Sequence, residues 1–104
     1  MQEKSESLQW LVNWYRSRCD GVWEHSYGVT IETIDNPGWS VLIEVSETPI
    51  ENLELIFNSK QVGDEDDWYG YSVKETVFKG VGDPTKLDVL IAAFRAIWEE
   101  HVAR

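Results

Sequence analysis

The chain has 104 residues, a formal net charge of −10 and one cysteine. A single cysteine cannot form an internal disulfide, and no apolar run approaches the roughly 20 residues that span a bilayer. We therefore expect a cytoplasmic protein with one domain over residues 1–104. The negative charge belongs to residues 20–75, where thirteen acidic residues accompany two lysines. Such a field repels phosphates and anionic lipids and attracts cationic proteins, so neither nucleic acid nor a membrane is an expected partner.

A first helix is predicted to run to about Arg18, because Asp20-Gly21 then suits the left-handed end of a helix. Apolar residues at i, i+3, i+4 and i+7 predict its buried face, with Cys19 on the same side. The residues of this predicted face are Leu8, Leu11, Val12 and Tyr15.

Two tryptophans, Trp10 and Trp14, fall on the opposite side of this helix. A surface helix with one buried face does not need two tryptophans on its back. Either the helix is covered on both sides, or the pair meets a partner or a second copy of the chain. A homodimer through Trp10 and Trp14 therefore stays open at this point.

A β-hairpin is predicted next. Residues 27–33 and residues 39–45 both alternate between apolar and polar side chains, as half-buried strands do. Between them Asn36-Pro37-Gly38 is a strong turn signal, in which Pro presets the second position and Gly supplies a positive φ at the third.

Three further strands are expected in the second half of the chain. Residues 53–58 predict a third strand, although a helical turn is an alternative, and residues 69–73 predict a fourth. An acidic loop, residues 64–67, lies between these two. Residues 77–81 predict the fifth strand, which follows a tight turn at Glu75-Thr76.

The last element is an amphipathic helix. Asp83 is a candidate N-terminal cap and Pro84 suits the first helical position. The apolar stripe that follows consists of Leu87, Leu90, Ile91, Phe94, Ile97, Trp98 and His101. The order of elements predicts an α+β fold with an N-terminal helix, an antiparallel β-meander of four to five strands and a C-terminal helix.

The run from Cys19 to His25 contains metal-ligand and nucleophile residue types. Structural zinc usually needs four Cys or His ligands at paired spacings, and this chain has one Cys and two His. A catalytic Cys19–His25 pair is disfavoured because the charges of Asp20 and Glu24 would raise the pKa of the thiol. We expect no metal, no cofactor and no catalysis, with a small enzyme or ligand-binding domain at Cys19–His25 as the alternative.

The remaining candidates are aromatic residues beside acids. Trp23 precedes Glu24, and Trp68 follows Asp66-Asp67. Tryptophan is enriched among the residues that anchor protein interfaces. Acids around such anchors suit a basic protein partner, whereas the alternative is that both tryptophans are ordinary core residues.

Several motifs spread over nearly the whole chain carry a family resemblance. They are Leu11–Tyr15 (LVNWY), Cys19–Gly28 (CDGVWEHSYG), Ile31–Thr33, Asp35–Val41, Asp67-Trp68, Gly82-Asp83-Pro84 and the closing amphipathic helix. In these motifs the chain resembles the immunity protein 53 family of bacterial polymorphic toxin systems. The resemblance implies a small cytoplasmic α+β protein that is not an enzyme and that neutralises a cognate toxin domain by binding it.

The resemblance and the charge together give the expected binding site. A basic toxin domain, such as a nuclease with a positive substrate groove, would be attracted to the acidic segment. The expected contact residues are Trp23, Glu24, Asp64, Glu65, Asp66, Asp67 and Trp68.

Overall fold

A computed structural model describes residues 6–61 and 66–102 of the chain. It contains two helices and five strands in the predicted order, which confirms the α+β class. The elements are α1 (Glu6–Arg18), a short 3-10 turn (Trp23–His25), β1 (Val29–Ile34), β2 (Gly38–Glu44), β3 (Leu55–Gln61), β4 (Trp68–Lys74), β5 (Val77–Gly82) and α2 (Leu87–His101). Within these residues neither helix is long and apolar enough to cross a membrane.

All five strands form one antiparallel sheet in the order β1-β2-β5-β4-β3. The strands β1 and β2 form the predicted hairpin, and β3, β4 and β5 follow one another as a meander. The segment 45–54 carries the chain from β2 to the far edge, so β2 neighbours β5 rather than β3. The sheet therefore has two edges, β1 and β3.

The two tight turns of the sheet differ in how well the sequence predicts them. At the turn between β4 and β5, Glu75 and Thr76 have φ values of 52° and 66°, as expected for a two-residue hairpin. At the turn between β1 and β2, the Asn36–Pro37 peptide bond is cis and Gly38 has no positive φ, so the predicted turn geometry is wrong. Gly38 is needed for space, because a β-carbon there would overlap the carbonyl oxygen of Gly82 in β5.

The core lies between α2 and one face of the sheet. Phe94 of α2 is fully buried and its ring meets that of Phe78 in β5, with 5.2 Å between the ring centroids. Val41 and Ile43 of β2 are also fully buried against this layer. His101, predicted to continue the apolar stripe of α2, is exposed at the end of the helix.

The helix α1 packs on α2 through its tryptophans. Trp14 is 4% exposed, and its ring lies edge-on to those of Phe94 and Trp98 with centroid separations of 5.1 and 5.4 Å. Trp10 is half-buried and its ring lies 5.9 Å from that of Phe94. Because Trp14 is enclosed by its own chain, it offers no surface for the suggested homodimer through Trp10 and Trp14.

The predicted buried face of α1 is wrong for three of its four residues. Leu11 is buried, but Leu8, Val12 and Tyr15 remain 46%, 51% and 40% exposed. The reason is that a tryptophan buries more apolar area than a leucine or valine, and the Trp14 side of α1 is the one that meets α2. The side predicted to be buried is therefore open.

Candidate functional site

The acids of the Cys19–His25 run are occupied by the local backbone. One oxygen of Asp20 accepts hydrogen bonds from the amides of Val22 (2.9 Å) and Trp23 (3.0 Å). In return, the Glu24 carboxylate accepts from the amides of Asp20 (3.0 Å) and Gly21 (2.9 Å). The bond from the Trp23 amide, followed by that from Val22, lowers the pKa of Asp20. The two carboxylates therefore cap the chain reversal after α1, which explains this spacing of acids without any ligand.

Trp23 is a core residue. Its side chain is 3% exposed, and its indole N–H donates a 2.9 Å hydrogen bond to the carbonyl oxygen of Ser46. Its ring also lies edge-on to that of Trp14. The expectation that Trp23 contacts a partner is therefore corrected: the ring ties the α1–β1 connection to the segment after β2. Glu24 beside it is half-buried.

Cys19 and His25 do not form a paired site. Both are exposed, and the Cys19 thiol donates to the carbonyl oxygen of Tyr15 at 3.3 Å. The prediction that Cys19 lies on the buried face of α1 is wrong, because that side of the helix is open. Among the described residues no three His, Cys, Asp or Glu side chains come together in a way that would hold a metal ion.

At the opposite end of the sheet, Asp83 organises a polar cluster. One of its carboxylate oxygens accepts from the amide of Trp68 and from the ammonium of Lys86, both at 2.8 Å. The other accepts from the amide and the hydroxyl of Thr85, at 2.8 and 2.6 Å. Asp83 is 2% exposed, and the hydrogen bond from Lys86 is the main reason that its pKa lies well below the usual range.

Asp83 is not the cap of α2. The helix begins at Leu87, and Lys86 precedes it without a side-chain cap. The Asp-Pro pair instead opens a turn in which the Lys86 amide donates to the Asp83 carbonyl oxygen at 3.0 Å. The Asp83 side chain accepts from Thr85 within this turn and from Trp68 across the sheet, and α2 begins after the turn, at Leu87 and not at Pro84.

Lys86 is shared between two acids. Its ammonium bonds to Asp67 as well as to Asp83, and these bonds, with Asp67 first, raise the pKa of Lys86. Lys86 is 8% exposed, so its charge is turned inward. Asp67, one of the predicted contact residues, is half-buried, and its carboxylate forms an ion pair with the buried Lys86.

The surface around this cluster is what we call the acidic end, defined by Asp35, Asp66, Asp67 and Trp68. A cleft of about 220 Å³ lies within it. Asp35 and Asp66 are exposed, and Trp68 is half-buried. The cleft is lined by Asn36, Pro37, Asp66, Trp68, Asp83 and Pro84. Two further predicted contact residues, Asp64 and Glu65, lie outside the described residues.

The structure divides the predicted site. β1 runs from the end that holds the 3-10 turn toward Asp35, and Trp68 begins β4 at that second end. Trp23 and Glu24 therefore lie at one end of the sheet, and Asp66, Asp67 and Trp68 lie at the other. The acidic end alone retains the predicted combination of acids and an accessible tryptophan.

Sequence reasoning missed one surface, an apolar groove between α1 and β1. We call it the α1–β1 groove; its volume is about 360 Å³. Its lining residues are Leu8, Leu11, Val12, Tyr15, Gly28, Val29 and Ile31. The sequence does show two apolar sides of α1, but the spacing of the residues does not show which side packs against α2 and which stays open.

Comparison with known proteins adds one match. The family model described as Immunity protein 53 matches residues 8–99. No curated protein and no solved structure matches the chain. The matched range includes both helices except their outermost residues and all five strands.

Proposed function

This chain belongs to the immunity protein 53 family, and we propose that it binds a cognate toxin domain of a bacterial polymorphic toxin system and blocks it. The family description supports an immunity role, which is exerted by binding a toxin rather than by catalysis. The chain would act in the cytoplasm of the cell that it protects, where such a toxin meets its target.

The observation that carries the proposed binding surface is the charge balance of the acidic end. Asp35 and Asp66 are exposed, whereas the neighbouring cation, Lys86, is buried and bonded to Asp67 and Asp83. The outward field of this end is therefore negative. Such a field speeds the encounter with a positively charged surface and suppresses binding to negatively charged ones.

Trp68 supplies the apolar part of the proposed contact. It is half-buried beside the cleft, and its amide is fixed by Asp83. The backbone that carries the ring is therefore fixed before binding, and truncation of a tryptophan anchor typically costs ~2 kcal/mol or more. The acids would raise the rate of association with the toxin domain, and the aromatic ring would lengthen the lifetime of the complex.

The toxin that best suits this surface is a nuclease. Enzymes that bind nucleic acid present a positive groove to phosphates, and carboxylates at the acidic end would occupy that groove in place of phosphates. Asp64 and Glu65 belong to the same loop in sequence and are proposed to add to its charge. Glu24, at the other end of the sheet, would act only through the long-range field.

Co-expression with the toxin domain encoded beside this chain in its source genome tests the proposal. The expected result is that cells survive the toxin only when the chain is present, and that a tagged toxin domain retains the chain at a fixed ratio. Growth arrest that the chain does not relieve, without any complex, would refute the proposed function.

A further inference from the structure

The strand β1 is a regular edge of the sheet that no other strand covers within residues 6–61 and 66–102. Its six residues pair with β2 without a register shift, and no other described strand pairs with its outer side. The opposite edge, β3, has an irregularity between Leu55 and Asn58. Proteins usually block sheet edges with bulges, prolines or inward-pointing charges, because a free edge can pair with another chain. The β1 edge has none of these features.

The pairing with β2 shows which backbone groups of β1 face outward. The amide of Glu44 donates to the carbonyl oxygen of Gly28 at 3.1 Å, so these two residues form a hydrogen-bonded pair. In an antiparallel ladder such pairs alternate with pairs whose backbone groups point away. The backbone groups of Val29, Ile31 and Thr33 therefore point outward from the sheet.

The same residues border the α1–β1 groove. The side chains of Val29 and Ile31 line it from the sheet, and Leu8, Val12 and Tyr15 line it from the helix. An added strand beside β1 would place every second side chain on this face of the sheet. Apolar side chains at those positions would enter the groove and cover the exposed apolar atoms of α1.

The charges indicate what the other side chains of the added strand should be. The open face of β1 carries Glu32, the one charged residue of the strand, and Asp35 follows at its end. Opposite charges on neighbouring strands attract and like charges repel. Basic residues at the alternate positions would therefore suit both Glu32 and the net charge of −10.

We propose that the β1 edge and the α1–β1 groove together bind an extended segment of a partner protein in which apolar and basic residues alternate. The segment adds a sixth strand to the sheet, with backbone hydrogen bonds to Val29, Ile31 and Thr33. In assigning the segment to the toxin domain, this inference rests on the proposed function and adds a second contact to the acidic end. A second copy of the chain fits less well, because two copies would bring two net charges of −10 together.

Amide hydrogen exchange of the chain tests the proposal with a defined probe. The probe is a capped peptide of alternating lysine and valine, long enough to span β1, and its control is the same peptide with N-methyl groups on the amides that would pair. We expect the unmethylated peptide to slow exchange at Val29, Ile31 and Thr33, and the methylated peptide to leave it unchanged. The same three amides should be protected in the complex with the toxin domain.

Variants of the chain give the matched comparison. Val12→Arg changes an exposed groove residue, and Ile56→Arg makes the same change at a residue of β3 that is 93% exposed. We expect Val12→Arg to weaken peptide binding by about tenfold or more, and Ile56→Arg to leave it unchanged. Thermal unfolding of both variants controls for loss of fold.

The outcomes separate this inference from the proposed function. If the chain binds the toxin domain but neither the toxin domain nor the peptide protects the β1 amides, the proposed function stands and the β1 binding surface is refuted. If the peptide protects the β1 amides but the chain does not bind the toxin domain, β1 does bind extended segments and the proposed function is refuted. Protection that rises with the concentration of the chain alone, with a doubled mass in sedimentation, would overturn the proposal in favour of a second copy.

Discussion

The amide of Trp68 donates a 2.8 Å hydrogen bond to the carboxylate of Asp83, and this bond joins the start of β4 to the turn before α2. The same carboxylate holds Lys86, which in turn holds Asp67. A single buried acid therefore holds both the backbone of Trp68 and the ammonium of Lys86. The negative field proposed to attract a toxin depends on this arrangement.

Replacing Asp83 by asparagine should lower the thermal midpoint at neutral pH. The amide side chain has one acceptor oxygen where Asp83 uses two, and it leaves Lys86 with a weaker partner. Glu54→Gln, at an exposed carboxylate, is the control and should change the midpoint little. A midpoint that falls equally in both variants would contradict a special role for Asp83.

The same pair of variants predicts a pH dependence. The pKa of Asp83 is lowered on folding, chiefly by Lys86, so its contribution to stability is complete above its unfolded pKa and is lost as pH falls through the folded value. The difference in midpoint between the parent and Asp83→Asn should be constant near neutrality and shrink below about pH 4. Thermal scans across this range check it, and a difference that stays constant in acid would contradict the ion pair.

Gly38→Ala should destabilise the hairpin. The added methyl group meets the carbonyl oxygen of Gly82, which is backbone and has little freedom to move. Overpacking of this kind typically costs about 1–3 kcal/mol. Gly28→Ala is the matched control, because nothing lies within 4 Å of a β-carbon there. Urea unfolding measures both, and equal free energies for the two variants would be inconsistent with the described contact between β2 and β5.

Trp23 and Trp68 should separate stability from binding. Trp23→Phe leaves the Ser46 carbonyl without its buried donor, which typically costs about 1–3 kcal/mol, while the folded variant should still bind the toxin domain. Trp68→Ala should weaken toxin binding by ~2 kcal/mol with a smaller effect on stability. Calorimetric titration and urea unfolding measure the two quantities. Reversed effects would place Trp23, not Trp68, at the interface.

Charge reversal at the acidic end should slow association. Asp35→Lys with Asp66→Lys removes the exposed acids of this end, whereas Glu47→Lys with Glu54→Lys makes the same change in net charge at exposed residues of the segment after β2. We expect the first variant to associate more slowly with the toxin domain and to show a flatter salt dependence than the second. Stopped-flow association rates at several salt concentrations compare them, and identical rates would exclude the acidic end.

Cys19→Ala tests the alternative of an enzyme or ligand site. Cys19 is exposed, and its thiol donates to the Tyr15 carbonyl oxygen. We expect the variant to keep its thermal midpoint and to protect cells from the toxin as the parent does. Loss of protection in a folded Cys19→Ala variant would instead favour chemistry at the Cys19–His25 region.

The sequence predicted the elements better than their contacts. The period-2 strands and the Glu75-Thr76 turn follow from local patterns and are found in the predicted order, whereas α2 is found but begins at Leu87 and not at Pro84. The buried side of α1 could not be read from spacing, because Leu11 belongs to both apolar sides and only the position of Trp14 against Phe94 decides between them. The role of a residue is fixed by packing partners that are distant in sequence.

The candidate site shows the same limit. Trp23 and Trp68 both stand beside acids in the sequence, yet Trp23 is enclosed by Trp14 and Ser46 whereas Trp68 lies at the surface cleft. Asp20 and Glu24 are of residue types that can hold a metal, but acids at these positions also suit capping of a turn. Only the three-dimensional hydrogen bonds separate these readings.

The central claim is tested most directly by titrating the purified chain into the purified toxin domain encoded beside it while the activity of the toxin is followed. The account predicts that activity falls linearly and is abolished at a fixed molar ratio, and that the complex persists on gel filtration. Toxin activity that stays unchanged at a large excess of folded chain would contradict it.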